Sequence, residues 1–396
     1  MKKTKIIFLI LFLGFFYPFH SFSEIIEQQK TTDEKPNFNV FLDSSNGLYS
    51  SVVKNKFEGS HFFDSYLNLE VIGNTNNKIS YRFTKQLIKR SREENPHHML
   101  DLAYFKYKWN DKLYFLFGKQ PFSFGSMEYA NESSSHEQAY RYSHVYKKNR
   151  NENYIGFSFI YYPIKDHEFQ FQIVNDINKE SIIYPKETIN FYPIACSVSW
   201  NWSLNPRNFY HHHDNDHDND HDDNKIIKNR WSYSIIEENE KKKYWKLLTL
   251  GSKFKWKPVI IEADYILSYE DMEKNRSITD VLRKLNFYDH PSVKYGTYLV
   301  KLKYNFIPKW NLIAKGVYET GASGKGNFFL KENKLFQKSY TYYGGLEFFP
   351  IMKNDDISFF IAYQNNRINY SLFSMKKENK NDYFILLGFN YRVKMI

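Results

Sequence analysis

The chain has 396 residues, a formal net charge of +11 and a mean hydropathy of −0.63, and aromatic residues make up 19% of it. Beyond its first segment no run of about 18 apolar residues occurs, so we exclude a protein that crosses a membrane with α-helices. The single cysteine, Cys196, excludes an intrachain disulfide framework. A hydrophilic average with 33 Tyr and 36 Phe is typical of alternating strands with aromatic belts.

The N-terminal segment predicts export. An apolar run from residue 6 to 16 is preceded by lysines and followed by small residues: Lys2, Lys3, Lys5, Ser21 and Ser23. We therefore predict that residues 1–23 are a cleaved signal peptide, 24–35 a short periplasmic lead and 36–396 a transmembrane domain. A retained membrane anchor is the alternative, but it needs roughly 20 apolar residues, and Pro18 and His20 interrupt the run.

Hydrophobicity alternates with a period of two residues in about sixteen later segments, each long enough for a tilted membrane strand. The clearest apolar faces are Leu67, Leu69, Val71; Ile79, Tyr81, Phe83; Phe105, Tyr107, Trp109; Ile261, Ala263, Tyr265, Leu267; Tyr298, Val300, Leu302, Tyr304, Phe306; and Tyr383, Ile385, Leu387, Phe389, Tyr391. Since one face of each segment suits lipid and the other water, we predict an all-β, transmembrane antiparallel β-barrel of about 16 strands.

The connections between these segments alternate between short turns and long polar loops, which in outer-membrane barrels are periplasmic and external, respectively. Short periplasmic turns are predicted at 73–77, 110–112, 163–167, 257–258, 307–309 and 350–355. Long external loops are predicted at 89–98, 119–153, 177–190, 270–291, 320–338 and 366–382.

One periplasmic turn carries an insertion, 205–225, that is rich in histidine and aspartate. Clustered imidazoles and carboxylates suit zinc or nickel, so the candidate metal ligands are His211, His212, His213, His217 and His221. The cluster lacks the fixed spacing of a structural site. We therefore favour a low-complexity expansion and predict no metal centre.

No motif in the sequence predicts catalysis. A Gly-rich phosphate loop, an HExxH helix and a GxSxG elbow are all absent from the strand and helix contexts that they require. We therefore predict that the protein is not an enzyme and uses no cofactor. The basic charge balance is interpreted as an anion-attracting lumen or as lipid contact, not as a nucleic-acid surface, because the chain is exported and rich in strands.

Charged residues occupy the strand faces that we expect to face water, because Arg or Lys at the lipid midplane costs roughly 2 to 4 kcal/mol. The predicted basic wall positions are Arg82, Lys106, Lys108, Lys301, Lys303, Lys315 and Arg392. The acidic ones are Glu70, Glu262, Asp264, Glu319 and Glu347. Some inward positions are bulky, namely Phe349, Phe360 and Phe384.

Four segments carry a resemblance to a known family: LYFLFGKQPFSFGSMEY from Leu113 to Tyr129, QFQIVND from Gln170 to Asp176, RWSYS from Arg230 to Ser234 and PKWNLIAKGVYE from Pro308 to Glu319. In these segments the sequence resembles the outer-membrane porins of the phosphate-selective porin O and P group. The resemblance implies a sixteen-stranded barrel, often trimeric, through which small hydrophilic solutes diffuse passively across the outer membrane of a Gram-negative bacterium.

The sequence departs from that family in two respects. Anion-specific members line the channel with a ladder of arginines and lysines, whereas acids and bases are mixed on the walls here, which favours a general or weakly anion-preferring pore. Many such barrels end on a Phe that the barrel-assembly machinery reads, whereas here the last aromatic is Tyr391 and the chain ends at Ile396.

The resemblance also implies that the third external loop, 119–153, folds into the lumen and narrows it. The loop would add Lys119, Glu128, Glu132 and Arg141 to the pore-lining residues, and their opposed charges would orient dipolar solutes. An ordinary solvated surface loop is the alternative.

These expectations describe a diffusion porin. Its partners would be outer-membrane lipid, small hydrophilic or anionic solutes, further copies of the chain in a homotrimer, and the barrel-assembly machinery. Two other classes stay open: a surface-interaction or structural barrel without a channel, and an outer-membrane enzyme. Stepwise conductance in a planar bilayer separates the first class from both.

Overall fold

The computed structural model describes residues 37–53, 56–62, 66–76, 78–87, 100–128, 153–175, 194–204, 226–239, 243–270, 292–324, 334–351, 357–370 and 379–395. Within these ranges no helix has the length and apolar character needed to cross a membrane. The strands are β1 (Asn37–Val53), β2 (Lys56–Phe62), β3 (Tyr66–Asn76), β4 (Ile79–Gln86), β5 (Leu102–Asn110), β6 (Leu113–Pro121), β7 (Asn153–Tyr161), β8 (His167–Asn175), β9 (Ile194–Leu204), β10 (Ile227–Asn239), β11 (Lys243–Trp256), β12 (Val259–Glu270), β13 (Ser292–Ile307), β14 (Trp310–Gly324), β15 (Lys334–Phe348), β16 (Ile357–Tyr370) and β17 (Lys380–Lys394).

All the strands belong to one antiparallel sheet that closes on itself. β1 pairs with β17, with Phe41 opposite Lys394 and Val53 opposite Asp382. On its other side β1 pairs with β2 through its second half and with β3 through its first half. Because β2 and β3 lie end to end along β1, they share one position in the wall, and the 17 strands form a barrel of 16 strand positions. The prediction of a closed barrel of about 16 strands is confirmed.

Side chains on each strand alternate between an apolar outer face and a mainly polar inner face. On β13, Tyr298 and Val300 are more than half exposed on the outside, whereas Thr297 is buried on the inside. β17 follows the same pattern, with Ile385 and Leu387 exposed and Asn390 buried. Since the closed ladder leaves no open sheet edge and lipid accepts apolar side chains, these two faces are those of a membrane-spanning barrel.

Several strands extend further than the sequence predicts. β14 continues to Gly324, β15 begins at Lys334 and β16 continues to Tyr370, so both ends of the predicted loop 320–338 and the start of the loop 366–382 belong to the wall. The alternating pattern is lost there because β14 ends in small and polar residues, the end of β16 is mainly polar on both faces, and β15 has the adjacent apolar residues Leu335 and Phe336 near its start. The end of the barrel with the long loops also has two short connections, residues 54–55 and 240–242.

Candidate functional site

A short segment that follows β6, residues 122–128, lies against the inner face of the wall; we call it the inner segment. It crosses β8, β9 and β10, and side chains of these strands receive or donate its hydrogen bonds. These bonds run from Ser123 N to Gln172 Oε1 at 2.9 Å, from Ser123 Oγ to Ser199 Oγ at 2.8 Å, from Ser197 Oγ to Ser123 O at 3.0 Å and from Gly125 N to Ser232 Oγ at 2.7 Å.

Small side chains on the wall make room for the inner segment. The inward positions beneath it and beside it are buried serines: Ser158, Ser197, Ser199, Ser232 and Ser234. At Gly125 the approach is so close that an added Cβ would lie 2.5 Å from Ser232 N. The alternating serines of β9 and β10 are a signal in the sequence that the prediction did not use.

Aromatic side chains of the inner segment complete its attachment. Phe122 and Phe124 have ring centroids 4.8 Å apart, and both are almost fully buried. They belong to one apolar cluster with inward residues of β7 to β12, which are Tyr154, Val174, Ala195, Ile236, Trp245, Leu247 and Ile266. Burial of two Phe side chains stabilises the inner position of the segment by roughly 1.5 to 3 kcal/mol each.

Asp264 of β12 binds the far end of the inner segment. Its two carboxylate oxygens accept hydrogen bonds from Ser126 Oγ at 2.7 Å, from Met127 N at 2.7 Å and from Glu128 N at 3.0 Å. The Glu128 carboxylate in turn accepts a bond of 2.7 Å from Lys315 Nζ on β14. The segment is therefore tied to the wall from β8 to β14.

A second group of charges joins the first strands to the last. Glu70, of which only 2% of the side chain is exposed, accepts hydrogen bonds from Arg82 Nε at 2.5 Å and from Arg392 Nη2 at 2.8 Å. Arg392 Nε also lies 3.5 Å from Asp43 Oδ1 on β1. Two arginines and two carboxylates thus balance at the seam between β1 and β17.

Four lysines and one glutamate lie next to one another across the inner wall from β10 to β14. The strand registers place Lys228 opposite Lys253, Lys253 opposite Glu262, Glu262 opposite Lys301, and Lys301 opposite Lys315. We call this set the basic row. Glu262 lies 3.3 Å from Lys253 Nζ and 3.2 Å from Lys301 Nζ. Two residues further along β13, towards the short turn, Lys303 Nζ lies 2.9 Å from Glu347 Oε2.

Polar groups also line the end of the barrel with the short turns. Tyr162 donates a hydrogen bond of 2.5 Å to Glu168 Oε2, and Asn201 donates one of 2.7 Å to Glu168 Oε1. Burial, followed by the neighbouring Glu168 carboxylate, raises the pKa of Tyr162, so its hydroxyl stays protonated and keeps donating. Lys106 Nζ lies 4.7 Å from the ring centroid of Tyr114, and Lys108 Nζ lies 2.7 Å from Asp111 Oδ1.

The structure places most of the wall residues named from the sequence on the inner face, but it places Lys119, which was expected in the third loop, on the outer face of the wall. Lys119 shares the outer face of β6 with Phe117, lies opposite Ile155 and donates from Nζ to the Leu100 carbonyl at 2.6 Å. This differs from the expectation for Lys119 because β6 continues to Pro121, so the residue lies in a strand and not in a loop.

Other predictions fall on residues that the structure does not describe. These are the signal peptide 1–23, the lead 24–35, Glu132 and Arg141 of the third loop, and the histidines of 205–225. In the described ranges no group of three or more His, Cys, Asp or Glu side chains could hold a metal ion.

Comparison with known families gives one match that covers most of the chain. The model of the phosphate-selective porin O and P family matches residues 49–391. The chain belongs to this family. The resemblance found in the sequence is thereby confirmed, and porins of this kind are channels of the outer membrane of Gram-negative bacteria.

Solved outer-membrane proteins share the fold of this porin. Outer-membrane OmpT of Vibrio cholerae is 10% identical with a TM-score of 0.56, covering 93% of this chain and 100% of that one. The outer-membrane channel DcaP of Acinetobacter baumannii is 10% identical with a TM-score of 0.57, covering 93% and 99%. OmpF of Salmonella typhi, solved with daunomycin, is 12% identical with a TM-score of 0.57, covering 90% and 97%. The curated proteins searched give no match.

Proposed function

We propose that this porin forms a water-filled channel for passive diffusion of small hydrophilic solutes and that it prefers anions weakly. The basic row carries the proposal. Four lysines and one glutamate occupy opposing positions on the five adjacent strands β10 to β14, and two of the four register pairs join lysine to lysine. Lysines placed opposite each other on the inner wall give it a positive potential, which attracts anions.

The preference is expected to be weak because carboxylates neutralise part of the row. Glu262 lies between Lys253 and Lys301, and Glu128 binds Lys315. Counted over these residues alone, four lysines face two carboxylates, so basic groups are in excess. The seam around Glu70 has no such excess, since two arginines face two acids.

The proposal includes a homotrimer and a constriction formed by the third loop. The inner segment supports the constriction, because it already brings the start of the third loop onto the inner wall. A trimer form of in-vitro folded OmpT of Vibrio cholerae, a protein with the same fold, supports the homotrimer. Cross-linking in native outer membranes tests the trimer, and a single-chain product throughout would contradict it.

The selectivity is tested by reversal potentials in planar bilayers under a KCl gradient. We expect stepwise conductance for the unaltered protein and a reversal potential whose sign shows that chloride permeates more readily than potassium. The double variant Lys253→Gln, Lys301→Gln leaves Glu262 without its two lysines, so the anion-to-cation permeability ratio should fall by about two- to threefold or more. Lys338→Gln, which removes an exposed lysine from the outer face of β15, is the matched control and should leave the ratio unchanged. Folded protein that gives no conductance would contradict the channel itself.

A further inference from the structure

The inner wall carries an apolar patch next to the basic row. It consists of Ile313, Tyr343, Phe360, Ala362 and Leu386, with Tyr49 and Phe384 packed against them. Their strand positions are inward, since they alternate with exposed outer residues such as Ile361, Leu387 and Tyr342. A wholly polar lumen would be the simplest lining for hydrophilic solutes, whereas the inner face of β1 and β14–β17 carries these seven apolar side chains, of which five are buried and Tyr49 and Phe384 are partly buried.

The patch and the basic row are continuous across the strands. Lys315, the last member of the row, lies opposite Tyr343, and the same register continues through Gln364 to Phe384. The neighbouring inward register begins with Lys303, which lies opposite Ile313. It continues through Gly345 and Ala362 to Leu386, and Leu386 lies opposite Tyr49. Two neighbouring registers therefore both change from cationic to apolar between β13 and β15.

Only two members of the patch offer ring surface to the lumen. Tyr49 and Phe384 are partly exposed and stacked, with ring centroids 5.2 Å apart, whereas Tyr343 and Phe360 are buried beneath them. Phe384 lies three strands from Lys315, a distance of roughly three strand spacings of about 4.8 Å each. The short separation across the sheet between the basic row and the two rings suits a solute with one anionic end and a short apolar body.

We propose that the channel favours amphipathic monoanions, in particular carboxylates that carry an aromatic or alkyl body, over hydrophilic anions of the same charge and size. The carboxylate pairs with lysines of the basic row while the apolar body lies on Tyr49 and Phe384. Charge complementarity supplies the first contact, and removal of apolar surface from water supplies the second. This inference rests on the proposed function, because it assumes that the lumen conducts anions.

The test compares two monocarboxylates of similar size, 4-phenylbutyrate and gluconate, at pH 8 in planar bilayers. Each is placed opposite chloride, and the reversal potential gives its permeability relative to chloride, after subtraction of protein-free bilayers. For the unaltered protein we expect phenylbutyrate to be at least threefold more permeant than gluconate. The double variant Tyr49→Ser, Phe384→Ser should bring that ratio down to near one while chloride still conducts.

Tyr363→Ser is the matched control, since Tyr363 is an exposed outer-face residue of β16 beside the inward Gln364. It should leave the ratio as in the unaltered protein. A ratio near one in the unaltered protein, or a ratio that the double variant does not change, overturns the inference even though chloride conducts. Absence of chloride conductance instead contradicts the proposed function, so the two failures are distinguishable.

Discussion

Arg392 on the last strand donates a hydrogen bond of 2.8 Å to Glu70 on β3, across 322 positions of sequence. The bond joins the two ends of the barrel wall through a carboxylate that is almost completely buried. Arg82 holds the other oxygen of the same carboxylate.

Replacing Arg392 should therefore loosen the seam. Arg392→Met removes one of the two arginines that bind Glu70, and a buried charge that loses a partner costs about 1 to 3 kcal/mol. We expect a lower temperature for the loss of the compact, detergent-resistant form on gels. Arg367→Met is the control, because Arg367 is exposed and its Nε donates a hydrogen bond of 3.2 Å to Asn369 Oδ1, an uncharged partner. Equal losses for both variants would contradict a special role of the seam.

Asp264 should control how firmly the inner segment is held. In Asp264→Asn an NH2 group replaces one of the oxygens that accept bonds from Ser126, Met127 and Glu128, so at least one buried donor loses its acceptor. We expect increased open-channel noise and a changed single-channel conductance. Glu319→Gln alters another buried inward acid, which accepts a hydrogen bond of 2.8 Å from Thr297 Oγ1, and should leave the conductance and its noise unchanged. If Asp264→Asn leaves the conductance and its noise unchanged, Asp264 does not control how firmly the inner segment is held.

Gly125 should be intolerant of a larger side chain. In Gly125→Ala the new Cβ would lie 2.5 Å from Ser232 N and 2.6 Å from Trp231 C, so the inner segment must move away from β10. We expect a conductance that differs from that of the unaltered protein. Gly316→Ala on β14, where an added Cβ meets nothing within 4 Å, should conduct normally. Indistinguishable conductance for all three proteins would show that the close approach is not maintained.

The outer face should reject charge. Val300 is 53% exposed near the middle of β13, and Val300→Arg should destabilise the barrel by roughly 2 to 4 kcal/mol if it lies at the lipid midplane. Urea-induced unfolding in lipid vesicles measures the difference. Val300→Leu keeps the position apolar and should change little. A tolerated Arg at this position would mean that this face meets water.

The outer and inner faces of single strands were predictable, because apolar and polar residues alternate within the sequence of each strand. The outer residues Tyr298, Val300 and Tyr304 of β13 were named from the sequence and are on the outer face. Lys119 was misplaced because the Gly-Lys-Gln-Pro sequence around it suggests a loop, although the strand continues through Gly118 with a positive φ of 117°.

Relationships between strands were not predictable. The basic row includes Lys228 and Lys253, which the sequence analysis did not name, because their juxtaposition depends on the register of β10 against β11. The inner segment is a similar case. Its path depends on Ser232 and Asp264, which lie 107 and 138 positions away from the residues that they bind. The signal peptide and the trimer stay predictions.

The pairing of β1 with β17 also has a consequence for assembly. The first strand must find the last, so the ring cannot be completed until the whole wall has been synthesised and delivered to the membrane. A chain truncated before Lys380 would keep fifteen of the sixteen strand positions. It would expose two unpaired strand edges to hydrocarbon, each with backbone amides that lipid cannot solvate. Insertion of this protein should therefore be all or none with respect to its C-terminal strand.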